Sequence, residues 1–401
     1  MTSRPTEPLQ APGRMDSQEA AFDGLERVIG IEDEGRPGPL VLLVAGLHGN
    51  EPGGVAALLQ LFDELDGVET AGRVVGLAGN LGALRARKRH LGVDLNRMWT
   101  ADNIRALGVR PPKDDLPDEA ELRALFLTVE AERTAAAAIG RDVVLVDLHS
   151  TSGSGSGFSV LPDAVPARRL ARAIGLPAVL GLEDRIEGPM LTWCASQGDT
   201  AIVVEGGQHD APTTRTVLHA ATLLALDHLG VLPENHAGIE DARRLIDRTR
   251  GDAPRVLEIN HTHHIPRGER FAMDPGWFNF RPVRRGEPLA HAIPSPDVER
   301  VVTSPASGYM LMPLYQEIGD EGFFLCRRVR RTWLVASRLV RRKWIERALV
   351  VLPGVRSIEV ERGRVEVRRG AGPWLARLLR VFGYRRHSPS GASTAWFRRA
   401  Q

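Results

Sequence analysis

Three short, almost uninterrupted apolar runs, at 40–45, 143–148 and 201–204, each stop at a cluster of polar residues able to bind a cation or move a proton. Runs of Leu, Val and Ile without alternation suit strands covered on both faces, the habit of parallel sheets flanked by helices. The first run leads into His48-Gly49-Asn50-Glu51, the second into Asp147-Leu148-His149-Ser150-Thr151, and the third into Glu205-Gly206-Gly207. In open α/β sheets ligands gather at the carboxyl ends of strands. The same pattern therefore predicts a fold class and the place of a site.

The rest of the chain extends this reading. Further strands are expected at 27–31 and 73–77, and helices at 55–65, 118–138 and 217–229, where apolar residues recur three and four apart. Residues 26–250 thus read as an α/β domain, a mixed sheet with helices on both faces, preceded by a polar lead-in over 1–25. Short β-like runs at 256–259, 278–282, 308–313 and 322–326, punctuated by Gly and Pro, suggest a smaller β-rich domain over 251–326. Residues 327–401 read as a basic α+β C-terminal extension. Within it an Arg-rich helix is expected at 330–349, a hairpin at 355–360 and 364–367, a last helix at 373–382, and a disordered end from 388. The Gly-Ser stretch at 153–157 reads as a mobile loop beside the site, and it lacks the Lys-Ser/Thr ending of a phosphate-binding loop.

Composition narrows the setting. No apolar run approaches the roughly 18 residues of a membrane-spanning helix, and the start of the chain lacks a secretory pattern. Two cysteines, Cys194 and Cys326, cannot build a disulfide framework, so a cytoplasmic protein is expected. The net charge of +2 hides an asymmetry: from Cys326 onward there are 20 Lys+Arg against 4 Asp+Glu. Such a segment suits an anionic partner, either nucleic acid or lipid, or the acidic body of the same chain. The oligomeric state is left open, a homo-oligomer included.

His48, Glu51 and His149 are the residue types of a catalytic zinc site: two imidazoles and a carboxylate, with one position left for water. Gly49 and Gly53 ease the turn that brings His48 and Glu51 to one side. Asp147 shares a strand face with His149 and suits an outer hydrogen bond. Each residue alone also fits a loop cap, a solvated acid or a satisfied core histidine. Together, each at a strand end, they favour a metal. His261-x-His263-His264 lacks an acidic or cysteine partner and fits surface or rim histidines better.

These motifs, with Asp94-Leu95-Asn96-Arg97 and Val204-Glu205-Gly206-Gly207, resemble the succinylglutamate desuccinylase/aspartoacylase family, which is related to the zinc carboxypeptidases. The likeness spans about residues 25 to 325. It implies a carboxypeptidase-like fold and a zinc amidohydrolase that splits an N-acyl amino acid, with metal-activated water as nucleophile. It implies one Zn2+ per chain on His48, Glu51 and His149, Glu205 as general base, and Arg89 polarising the scissile carbonyl. Arg97, with Asn96, would grip a substrate carboxylate. Two parts of the family's substrate clamp have no counterpart. No arginine stands in Thr192-Trp193-Cys194-Ala195-Ser196, and Met312 precedes Pro313 where a tyrosine is expected, with Tyr309 and Tyr315 offset. The expected activity is hydrolysis of a small carboxylate-bearing N-acyl amino acid. The alternatives are a carboxypeptidase-like peptidase or esterase, and a non-catalytic protein binding nucleic acid or lipid through its basic segment.

Overall fold

The structure, a computed structural model, describes residues 22 and 24–329 apart from 184, 296–297 and 317–318, and beyond them 351–359, 364–368, 375, 378–379, 384–387 and 394–399. The lead-in up to residue 21, the helix expected at 330–349 and most of the one expected at 373–382 lie outside the described residues.

In chain order the first elements are β1 (Val28–Glu32), β2 (Leu40–Ala45), α1 (Pro52–Leu65), β3 (Arg73–Ala78), α2 (Leu81–Ala86), α3 (Ala101–Val109) and α4 (Pro117–Ala138). They are followed by β4 (Val143–Thr151), β5 (Phe158–Leu161), α5 (Val165–Ile174), β6 (Ala178–Leu180), α6 (Met190–Ser196), β7 (Thr200–Gln208), α7 (Pro212–His228) and α8 (Ile239–Arg250). Then come β8 (Val256–His264), β9 (Arg270–Met273), β10 (Pro282–Val283), β11 (Pro288–Ser295), β12 (Val298–Thr303), β13 (Gly308–Leu311) and β14 (Glu321–Arg328). The last strands are β15 (Val355–Glu359), β16 (Arg364–Arg368), β17 (Tyr384–His387) and β18 (Thr394–Arg399).

Eleven strands form one mixed sheet in the order β1-β3-β2-β4-β7-β5-β6-β8-β14-β13-β10. Its centre, β3-β2-β4-β7, is parallel. Alternate residues of these strands serve opposite cores. Val41, Leu43, Val146 and Val204 pack with α1, α5, α7 and α8 on one face. Leu42, Val44, Leu145 and Val203 pack with α4 and α6 on the other. Burial on both sides explains the absence of polar alternation in the sequence, and it bears out the expectation of helices on both faces. Because β2, β4 and β7 run parallel and in register, their carboxyl ends open on one side of the sheet, with His149 directly opposite Glu205.

The stretch after α8 does not stand apart from this sheet. β8 pairs in parallel with β6, and β14, β13 and β10 follow outward, while β9, β11 and β12 make a separate three-stranded sheet. Three expectations need correction. The run at 278–282 contributes only Pro282 to a strand, β10, because Phe280 turns the chain with φ of 68°. The 153–157 stretch is pinned: Ser154 O accepts from Asn279 N at 2.9 Å, and Gly155 bridges Asn279. The expected disordered end contains β18, whose backbone finds partners in both β16 and β17.

The turn after β2 depends on one close approach. A Cβ on Gly49 would lie 2.0 Å from the carbonyl carbon and oxygen of Ala83 in α2, so the His48–Glu51 loop rests directly on that helix. Backbone cannot yield there as a flexible side chain would. Gly49→Ala is expected to destabilise the protein by about 1–3 kcal/mol, as overpacking does, read as a lowered urea midpoint. An unchanged midpoint would show that the loop has room to move.

Candidate metal centre

His48 and Glu51 come from the loop between β2 and α1, and His149 from the end of β4; all three are buried. His48 Nδ1 lies 2.8 Å from Glu51 Oε1, and His149 Nδ1 lies 3.1 Å from Glu51 Oε2. The backbone N–H of Ser150 donates to the same Oε2 at 2.9 Å. Each ring is held from behind by a second carboxylate. His48 Nε2 is 3.0 Å from Asp94 Oδ1, and His149 Nε2 is 3.0 Å from Asp147 Oδ2. Asp147 and His149, two apart on one strand, share a face as a period of two requires.

This arrangement fits a divalent ion of the zinc type. With each Nε2–H given to a carboxylate, the inward Nδ1 atoms carry the lone pairs a metal needs. One ligand atom from each of His48, Glu51 and His149 lies within 4.8 Å of the others, the only such group of three or more among the described residues. The nitrogen–oxygen separations approach the roughly 3.3 Å edge of a tetrahedron built on zinc–ligand bonds of about 2 Å.

Electrostatics follow from crowding charge into a buried space. Burial opposes ionisation of Glu51, but the two imidazoles outweigh it and hold its carboxyl well below the usual range. Burial likewise opposes protonation of His149, yet Asp147 and Glu51 raise its pKa well above the ordinary value. Glu205 goes the other way. Burial pushes its carboxyl up to about 8, aided by Glu51 and Asp147 and opposed by His149 and Arg89. Its Oε2 is buried without a hydrogen-bond partner.

Asp94 gathers the arginines. Burial disfavours its charge, but His48, Arg89 and Arg97 hold its carboxyl far below the usual range. Arg89 donates to Asp94 Oδ2 through Nε and Nη2, at 3.2 and 2.8 Å, and its Nη1 stands 3.9 Å from Glu51 Oε1. Arg97 donates from Nη1 to Asn96 O at 3.1 Å and from Nη2 to Glu321 Oε2 at 3.4 Å. Asn96 Oδ1 accepts from Met190 N at 2.9 Å, which ties α6 to this turn. The loop between Arg89 and Asp94 is fixed by Asp118, whose buried carboxylate accepts from the backbone N–H groups of Leu91, Gly92 and Val93.

The structure therefore brings His48, Glu51, His149, Glu205 and Arg89 into one cluster and sets Asn96 and Arg97 at its edge. His209, just after β7, has Nδ1 2.8 Å from Ser150 Oγ and Nε2 3.4 Å from Gln316 Oε1. Sequence reasoning missed Gln316 and Glu321, which carry no motif and reach the cluster only through the fold. Asp94 had a signal, its place in Asp-Leu-Asn-Arg, but no assigned role. Tyr315 points elsewhere, its hydroxyl donating to Asp274 O and accepting from Trp277 N. His263 stacks on Phe323 with centroids 5.0 Å apart, a packing contact and not a ligand cluster. No described helix is long and apolar enough to cross a membrane.

Comparison with known proteins agrees with the motifs. Residues 37–229 match the family described as the succinylglutamate desuccinylase/aspartoacylase catalytic domain. A protein named probable aspartoacylase from Parasynechococcus marenigrum (strain WH8102) is 31% identical over 186 residues, 45% of this chain and 55% of that relative. The chain thus spans about half the length of this curated relative. Among solved structures, a succinylglutamate desuccinylase/aspartoacylase from Rhodobacter sphaeroides superposes with a TM-score of 0.54 at 19% identity, covering 74% of this chain and 87% of that one. The product-bound ectoine utilization protein EutE (DoeB) from Ruegeria pomeroyi gives 0.53 at 20%, covering 73% and 85%. At such identities these two likenesses speak for the fold alone.

The buried acids make a prediction for the metal-stripped protein. Glu205 keeps its proton in the folded chain up to about pH 8, whereas an unfolded glutamate loses it near 4.3. Its contribution to stability is complete below the unfolded pKa and is lost as pH rises through the folded one. His149, raised above its unfolded value, acts in the same direction. In chelator, urea unfolding should show stability falling from pH 5 to 8, and Glu205→Gln should flatten that slope. An identical slope in the variant would contradict the assignment.

Proposed function

We propose that this chain, which carries a succinylglutamate desuccinylase/aspartoacylase catalytic domain over residues 37–229, is a zinc-dependent hydrolase. Its reaction would split the amide bond of a small carboxylate-bearing N-acyl amino acid into a carboxylic acid and an amine. The observation that carries this reading is the buried Glu51 carboxylate between two imidazole Nδ1 atoms, with Glu205 in register opposite His149.

His48, Glu51 and His149 would hold one zinc ion. When bound, the ion supplies a Lewis acid for the acyl carbonyl and lowers the pKa of water to about 7. Glu205 takes the proton from the attacking water and delivers it to the leaving nitrogen, a shuttle suited to a carboxylate whose buried Oε2 has no hydrogen-bond partner. Arg89 is a fixed cation: burial works against its charge, but Asp94 and Glu51 raise its pKa above the ordinary value. It opposes the negative charge that develops on the carbonyl oxygen. Arg97 orients the substrate through its carboxylate, as a planar donor can. Asn96 offers its amide nitrogen beside it, its oxygen being committed to Met190. Glu321 meets Arg97, and Gln316 meets Asn50 and His209, so the catalytic unit includes the start of β14 and the loop before it.

His48→Ala is expected to abolish both zinc content and turnover. Glu205→Gln should retain zinc and lose about 10²–10⁴ in kcat, the usual weight of a general base. Metal analysis, coupled to hydrolysis of N-acyl amino acids of graded acyl length and of short peptides, checks both. Protein without stoichiometric metal, with His48→Ala fully active, would refute the reading. Faster cleavage of peptides would assign the site to a carboxypeptidase-like reaction.

A further inference from the structure

The arginine assigned to the substrate carboxylate is already engaged. Glu321 opens β14, whose antiparallel pairing with β8 carries it to Arg97, 224 residues earlier in the chain. The two side chains meet at 3.4 Å, with 24% of Arg97 and 13% of Glu321 exposed. A single contact at that length, partly open to water, is a weak pair that an incoming ion can exchange. The neighbouring guanidinium of Arg89 is spoken for more firmly, by two hydrogen bonds to Asp94.

Exchange has a consequence for charge. A substrate carboxylate that takes Arg97 strips Glu321 of its partner and leaves two negative groups side by side, with Asp94 Oδ2 4.0 Å from Arg97 on the other flank. A carboxylate deprived of its cation in a largely buried place is costly. A second carboxylate on the substrate would worsen the repulsion. A positively charged group on the substrate removes it, because the Arg97–Glu321 pair is then replaced by two pairs, carboxylate to arginine and ammonium to glutamate. Repulsion against the wrong ligand is as effective a source of selectivity as attraction to the right one.

We infer, resting on the hydrolase reading above, that Glu321 is a specificity-determining residue that selects substrates keeping a free ammonium group near the carboxylate. The substrate class is a mono-N-acylated diamino acid. The neutral amide at the scissile bond is flanked by one group for Arg97 and one for Glu321, and the reaction releases a diamino acid.

Binding of the released amino acid tests this without relying on turnover. Zinc-loaded protein is titrated calorimetrically with L-ornithine, L-aspartate and L-norvaline. Ornithine is expected to bind about tenfold or more tightly than aspartate. Glu321→Gln, an isosteric change checked for an unaltered unfolding temperature, should close that gap by weakening ornithine and strengthening aspartate and norvaline, whose carboxylates no longer face an unpaired Glu321. Aspartate binding as tightly as ornithine in the wild-type protein, no binding of ornithine, or a variant that weakens all three alike would each overturn the inference. Hydrolysis of Nα-acetylornithine, Nδ-acetylornithine and N-acetylaspartate separates the two claims. Preference for either acetylornithine supports the inference and shows which nitrogen carries the acyl group. Ornithine selectivity without turnover of any of the three supports the inference and removes the hydrolase reading. N-acetylaspartate turned over fastest keeps the hydrolase reading and overturns the inference.

Discussion

A carboxylate buried between two imidazoles sets the terms for everything around it. Glu51 is only 3% exposed, and an ionised group so far from water is tolerated only with opposite charge and hydrogen bonds close by. His48, His149 and the Ser150 amide supply them. Those partners need their own support, which Asp94 and Asp147 give from behind. The chain of obligations then runs outward, from Asp94 to Arg89 and Arg97, and from Arg97 to Glu321. The parallel centre of the sheet makes this possible by delivering the loops after β2, β4 and β7 to one edge.

The two glutamates at the centre are held in opposite states by their surroundings. Glu51 has imidazoles against both oxygens and stays ionised, while Glu205 has an oxygen with no partner and keeps its proton to about pH 8. Environments that drive neighbouring carboxyls apart are how one fold separates a binding role from a proton-transfer role. A dication beside Glu205 would favour its charged form, so occupancy and the state of the base are coupled.

The part of this visible in the sequence is the part fixed by short-range geometry. His48 and Glu51 are three apart in one turn, Asp147 and His149 two apart on one strand, and Glu205 ends an apolar run that could only be a buried strand. The apolar runs also foretold the two-faced sheet. What stayed hidden depends on contacts between distant segments. Nothing about Glu321 or Gln316 in sequence marks them as neighbours of Arg97 and His209, because β14 and its preceding loop reach the cluster only after β8 has joined the large sheet. The same limit explains two misreadings. The Gly-Ser stretch at 153–157 looks mobile until Asn279 is brought against it, and β18 looks structureless until β16 and β17 offer their edges.

The central claim is that the Glu51 carboxylate and its two imidazoles form a metal site. X-ray diffraction from crystals of the zinc-loaded protein, measured on both sides of the zinc absorption edge, tests it most directly. The account predicts one anomalous peak per chain, bonded to Nδ1 of His48, Nδ1 of His149 and the Glu51 carboxylate. A zinc-loaded crystal with no peak there, or with its peak at His261 to His264 instead, would contradict it.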